Sequence, residues 1–147
     1  MMYDPVVVAR QFAFVREAQS VGQNRGIRVE AIQHWSQGQF GDSWCAEFAT
    51  MVLDLCFQGN APIPRGGSCQ AIYDLAKAKG WVSNVPAPGD LFLYVNDADH
   101  AHHVGIVTGA DPLVGIAGNT SKDGTSSNGD GVYEHAITAH VFVHYPR

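Results

Sequence analysis

The chain has 147 residues, 46% of them hydrophobic and 16% charged, a length that fits one domain over residues 1–147 with a core of its own and a composition unlike that of a disordered or collagen-like chain. Nine Lys and Arg against fourteen Asp and Glu leave a net charge of −5, which excludes the basic stripe of a nucleic-acid binder and any attraction to an anionic membrane. The first apolar run, Val6–Ala9, falls far short of the roughly 18 residues of a membrane span, and the start Met1–Pro5 lacks the basic residues of a signal peptide.

In chain order, Val6–Ser20 places Val8, Phe12, Val15 and Ala18 near a 3.6 period, predicting an amphipathic helix that Gly22–Gly26 breaks. A shorter helix is expected over Val29–Trp35, ended by the polar run Ser36–Asp42. Ser43–Phe57 has the strongest helical pattern, with Asp42 or Ser43 as the expected N-cap and Trp44, Phe48, Met51, Val52 and Leu55 as its apolar face. Gly59 and Pro62 end it. Ser68 opens a fourth helix, with Ala71, Ile72, Leu75 and Ala76 inward and Gly80 at its end. Beyond the turn cluster Pro86–Gly89, short β-type runs follow at Asp90–Val95, Val104–Thr108, Leu113–Ala117, Gly131–Ile137 and His140–Tyr145. Such short spacing predicts an antiparallel meander. Helices first and strands second is the α+β layout.

Three cysteines, an odd number without a C-x-x-C pair, make neither a disulfide framework nor a zinc finger. Cys45 falls in the first turn of the third helix, where the free N–H groups favour thiolate, the nucleophilic form. The plain alternative is a small buried hydrophobe. Cys56, eleven residues on, reads as core, and Cys69 opens a helix with no apparent partner. His103 enters an apolar strand, and Gly118-Asn119-Thr120 ends another. Cys, then His, then Asn is the order of papain-like cysteine hydrolases, in which the imidazole takes the thiol proton and the amide orients the ring.

The blocks around these residues are more specific. Ser43-Trp44-Cys45-Ala46-Glu47-Phe48, Pro88-Gly89-Asp90-Leu91, His103-Val104-Gly105-Ile106-Val107 and Gly118-Asn119-Thr120 closely resemble the CHAP family, the cysteine, histidine-dependent amidohydrolases/peptidases. Val15-Arg16-Glu17, Asn24-Arg25-Gly26-x-x-Val29-Glu30 and Gly131-Val132-Tyr133 extend the likeness over nearly the whole chain. The resemblance implies a papain-like α+β fold, N-terminal helices packed on a C-terminal antiparallel sheet, and cleavage of amide bonds in bacterial peptidoglycan. Cys45 then matches the nucleophile, His103 the general base and Asn119 the polar residue of the third block.

The chain departs from the family at Ala117, where many members carry a Glu thought to orient the histidine. Asn119, two residues on, is expected to take that role. The calcium loop of some members is not expected either, since Gln37–Ser43 offers only Asp42. The Cys45 amide is one expected oxyanion donor, Gln39 a second by analogy with papain-like enzymes, and Trp44 a packing or cleft-wall residue. Asp97–His103 holds three histidines and two aspartates, which makes metal binding the rival reading for the site. The polar loop Asn119–Asp130 reads either as a cleft border or as a plain connection.

The expectation is therefore a monomeric thiol hydrolase that needs no cofactor or metal and takes peptidoglycan as its substrate, as an N-acetylmuramoyl-L-alanine amidase or a stem-peptide endopeptidase. Without an export address it is expected to reach the wall through phage lysis, a virion or a secretion system. The alternatives are a silent wall-binding module and a thiol hydrolase acting on another amide.

Overall fold

Asp4 accepts the Val6 N–H at 2.8 Å and Pro5 takes the first helical position, so the first helix starts firmly. It is short. In the structure, a computed structural model that describes residues 1–126 and 128–147, α1 spans Pro5–Arg10 rather than continuing to Ser20. The chain beyond it is used differently: Val15 C=O accepts the Val132 N–H at 3.0 Å and Glu17 N–H donates to Asp130 at 2.7 Å. Val15–Glu17 thus satisfies its backbone against the sheet, which outweighs the local helical period.

Helix α2 spans Ile27–Trp35, two residues longer at its start than its apolar pattern indicates, because the Glu30 carboxylate accepts the Gly26 N–H at 2.8 Å. Helix α3 spans Cys45–Cys56 and is buried from Cys45 through Leu53. Helix α4 spans Cys69–Lys79, capped by Ser68 at 3.0 Å from the Ala71 N–H and closed by Gly80 at φ 71°.

Among the described residues, six strands form one antiparallel sheet: β1 Val82–Ser83, β2 Leu91–Val95, β3 Ala101–Ala110, β4 Leu113–Thr120, β5 Gly131–Ala136 and β6 Val141–Val143. The order β1-β6-β2-β3-β4-β5 keeps the expected meander from β2 to β5 and then departs from it. β6 crosses back to pair with β2, in register Phe92↔Phe142, and β1 adds the outer edge beside it.

The main core lies between the helices and one face of the sheet, joining Phe48, Val52, Leu53, Ile72, Leu91, Leu93, Val104, Ile106 and Ile116. Full burial of each such side chain contributes about 1.5–3 kcal/mol. A smaller cluster of Phe92, Val107, Ala117, Ile137, Ala139 and Phe142 covers the opposite face. Gly118 sets how close α3 sits: a Cβ there would lie 2.8 Å from Phe48 Cβ and from the Trp44 ring. Only glycine lets the first turn of α3 press against β4.

Candidate functional site

Cys45 is the first residue of α3 and is 4% exposed. No side chain caps this helix. The two expected caps are occupied elsewhere: Asp42 accepts the Gln39 backbone N–H at 2.8 Å, and Ser43 Oγ accepts from Asn119 Nδ2 at 2.9 Å. The amides of the first turn are consequently left without a side-chain acceptor at the point where the Cys45 sulfur sits.

His103 lies in the early part of β3, paired with Tyr94 of β2. It is 2% exposed, and its ring stacks on Tyr94 with centroids 5.8 Å apart and planes 17° from parallel. Its Nδ1 is buried without a hydrogen-bond partner. α4 is fastened to the same stretch, since Gln70 Oε1 accepts the Ala101 N–H at 2.7 Å and Tyr73 donates to Asp99 at 2.7 Å. That fastening brings Cys69, the first residue of α4, to 3.6 Å from Cys45, sulfur to sulfur.

These neighbours act on Cys45 in one direction. A hydrogen bond from Cys69, then the His103 side chain and the Val104 N–H, hold the Cys45 thiol well below its ordinary value against the opposing effect of burial. The same contact, with burial, pushes the Cys69 thiol up. Either sulfur can donate in this contact, but only Cys45 also feels an imidazole, which makes Cys45 the sulfur better placed to carry the negative charge. Cys56, fully buried three turns along α3, is pushed up to about 11 by burial and takes no part.

A groove of about 390 Å³ opens over the pair, lined among others by Ser43, Cys45, Ser68, Cys69 and His102. Despite their burial, both sulfurs belong to residues at its floor. Four polar residues that follow β4 border a different place: Ser121, Asn128, Gly129 and Asp130 line a separate hollow of about 450 Å³ with Glu17, Gln19, Gly22 and Gln23. Among the described residues that line it there is no cysteine or histidine.

Asn119 is fully buried, at φ 54°, beside a bulge between Ala117 and Thr120. The left-handed backbone breaks the two-residue alternation of the strand, so Ala117 packs with Phe92 and Val107 while the Asn119 amide reaches Ser43. Asn119 makes no hydrogen bond to His103, and its Oδ1, like His103 Nδ1, is buried without a partner among the described residues.

Of the two roles expected of Trp44, the structure shows packing, and Gln39 stands apart from the groove. Trp44 is fully buried, and its indole N–H donates to Glu17 at 2.9 Å, so it secures the N-terminal segment to α3 and presents nothing to a substrate. Gln39 lies exposed in the preceding loop and is not among the residues lining the groove. The His-rich segment divides as well. His102 lies in β3, stacked on Tyr94 at 6.3 Å, and His100 lines the groove, whereas Asp99 turns to α4 and accepts from Tyr73 and Lys77. No group of three or more His, Cys, Asp or Glu among the described residues is arranged to hold a metal ion.

Two functional candidates escape the sequence reading. Cys69 is one, although it shares with Cys45 a detectable signal, that of a cysteine opening a helix after a Gly- and Ser-bearing loop. Glu47 is the other: 1% exposed behind Cys45, 2.5 Å from Ser36 Oγ, with Oε1 unpartnered. Burial raises its carboxyl to about 7. No family model matches the chain, and no curated protein or solved structure matches it.

Proposed function

We propose that the chain is a cysteine-dependent amide hydrolase with a papain-like CHAP fold, acting on bacterial peptidoglycan. The observation that carries the chemistry is Cys45, a thiol held low by its hydrogen bonds at an uncapped helix start, acted on by His103 and open to a groove. The wall substrate rests on the likeness of the four sequence blocks to that family.

In this reading the Cys45 thiolate attacks the carbonyl carbon, and the free amides at the start of α3 receive the developing oxyanion. His103 holds the thiol proton and passes it to the departing amine. It then takes a proton from the water that resolves the acyl-enzyme. His103 Nδ1 and Asn119 Oδ1 are both buried without a partner among the described residues, so each has hydrogen-bonding capacity to spare. The chemistry uses no cofactor.

One observation favours a second reading, a wall-binding module without turnover: the Asn119 amide is held by Ser43 rather than by His103. Solubilisation of purified walls distinguishes the two. Wild type is expected to release soluble material, while Cys45→Ala and His103→Ala lose at least about a thousandfold in rate, the scale on which catalytic groups act. Sedimentation of folded wild type with walls, without release, would establish the second reading.

A further inference from the structure

We propose that Cys45 and Cys69 form a reversible oxidation site, closing to a disulfide when a peroxide enters the groove. The proposal concerns the sulfur used in the hydrolase reading, but it does not depend on that reading.

Three observations carry it. The two sulfurs are 3.6 Å apart across the first turns of separate helices, so a bond needs them to close by about 1.5 Å, within the reach of side-chain rotation. Both residues line one groove, which a small oxidant can enter. The surroundings are also unequal: the His103 side chain and the Val104 N–H act on Cys45 and favour its thiolate, whereas burial and the sulfur contact favour the protonated form of Cys69. That is the arrangement of an attacking thiolate with a resolving thiol beside it.

The chemistry balances with a hydroperoxide as the oxidant. The Cys45 thiolate attacks one peroxide oxygen; an S–O bond forms, the O–O bond breaks, and hydroxide or alkoxide leaves and takes up a proton. Sulfur is oxidised by two electrons and the peroxide is reduced. The Cys69 sulfur then attacks Cys45 Sγ; the S–S bond forms, the S–O bond breaks, and the Cys69 proton leaves with the hydroxide as water. An external dithiol reverses the bond. Closure removes the nucleophile reversibly and protects Cys45 from the irreversible sulfinic and sulfonic acids. Cys56, fully buried and outside the groove, serves as the internal control.

The test uses the full chain with hydrogen peroxide and reads intact mass and a tryptic map. Wild type is expected to lose about 2 Da, to regain it with dithiothreitol, and to give a cross-link between residues 29–65 and 66–77. The first of these peptides also holds Cys56, so the same map in Cys56→Ser assigns the bond. Cys69→Ser and Cys69→Ala should instead gain about 16 or 32 Da at Cys45, with no 2 Da loss. A wild-type protein that gains oxygen at Cys45 without a cross-link would overturn the proposal, as would a cross-link through Cys56. No mass change under peroxide that oxidises free cysteine would do so too. If neither Cys69 variant folds, the wild-type and Cys56→Ser maps decide alone.

Discussion

At the Cys45 sulfur, burial and hydrogen bonding pull in opposite directions, and the hydrogen bonds from Cys69, His103 and Val104 prevail. A lowered thiol keeps its thiolate to more acidic pH than a free cysteine does. Alkylation of Cys45 by iodoacetamide should therefore stay fast below the titration range of free cysteine, and His103→Ala should move its pH midpoint upward. Cys56, raised to about 11, should remain unlabelled until the protein unfolds. Equal rates at both sulfurs would remove the basis for a selected nucleophile. The place of Cys45 at a helix start was legible from residue types alone, since a polar loop runs into an apolar helix there. The aim of the Asn119 side chain was not. Its direction depends on a positive φ and a bulge that no residue pattern in Gly118-Asn119-Thr120 announces. Nor was the Cys69 contact, because it requires α4 to be fastened to β3 by Gln70, a pairing distant in sequence.

At the scale of elements, the approach of α3 to β4 decides where Cys45 stands. Gly118→Val would place branched atoms where even a Cβ lies 2.8 Å from Phe48 and Trp44. The expected cost is about 1–3 kcal/mol of stability, the range for overpacking a filled core, with slower Cys45 alkylation as the helix start moves. Urea denaturation and labelling together check it; unchanged values for both would show that the contact does not position α3. The elements themselves were read well where local signals dominate. Ser68 and Gly80 bound α4 as cap and stop residues should, and β2 to β5 follow their turn clusters. The reading failed where distant partners take over. Residues 15–17 pair with the sheet despite their helical period, and β1 exists because Val82 and Ser83 meet Val143 and Phe142.

Across the whole molecule, two buried carboxyls tie distant parts together. Asp90, fully buried before β2, meets His144 at 2.6 Å and also Arg147, closing the C-terminal segment onto the middle of the chain. Asp90→Ala removes the carboxylate that His144 and Arg147 share and should cost about 1.5–3 kcal/mol, the range for hydrogen bonds to a charged group, read from the urea midpoint; a loss under about 0.5 kcal/mol, typical of a surface site, would show that the closure contributes little. Glu47 joins α3 to Ser36 at the end of α2. Its carboxyl is raised to about 7 by burial, so between pH 4.5 and 7 the folded protein binds a proton that the unfolded chain releases. Stability should therefore be highest below that window, fall by up to about 3 kcal/mol through it and level off above. Thermal midpoints of wild type should decline across this range, and those of Glu47→Gln should be nearly flat. A wild-type midpoint that rises with pH there would contradict the burial argument.

The most direct test of the central claim is mass spectrometry of the fragments released from purified peptidoglycan by wild type and by Cys45→Ala. The account predicts fragments cut at an amide bond, present with wild type and absent with the variant, their masses naming the bond. Identical fragments from both proteins, or none from walls of several chemotypes with the protein folded, would contradict it.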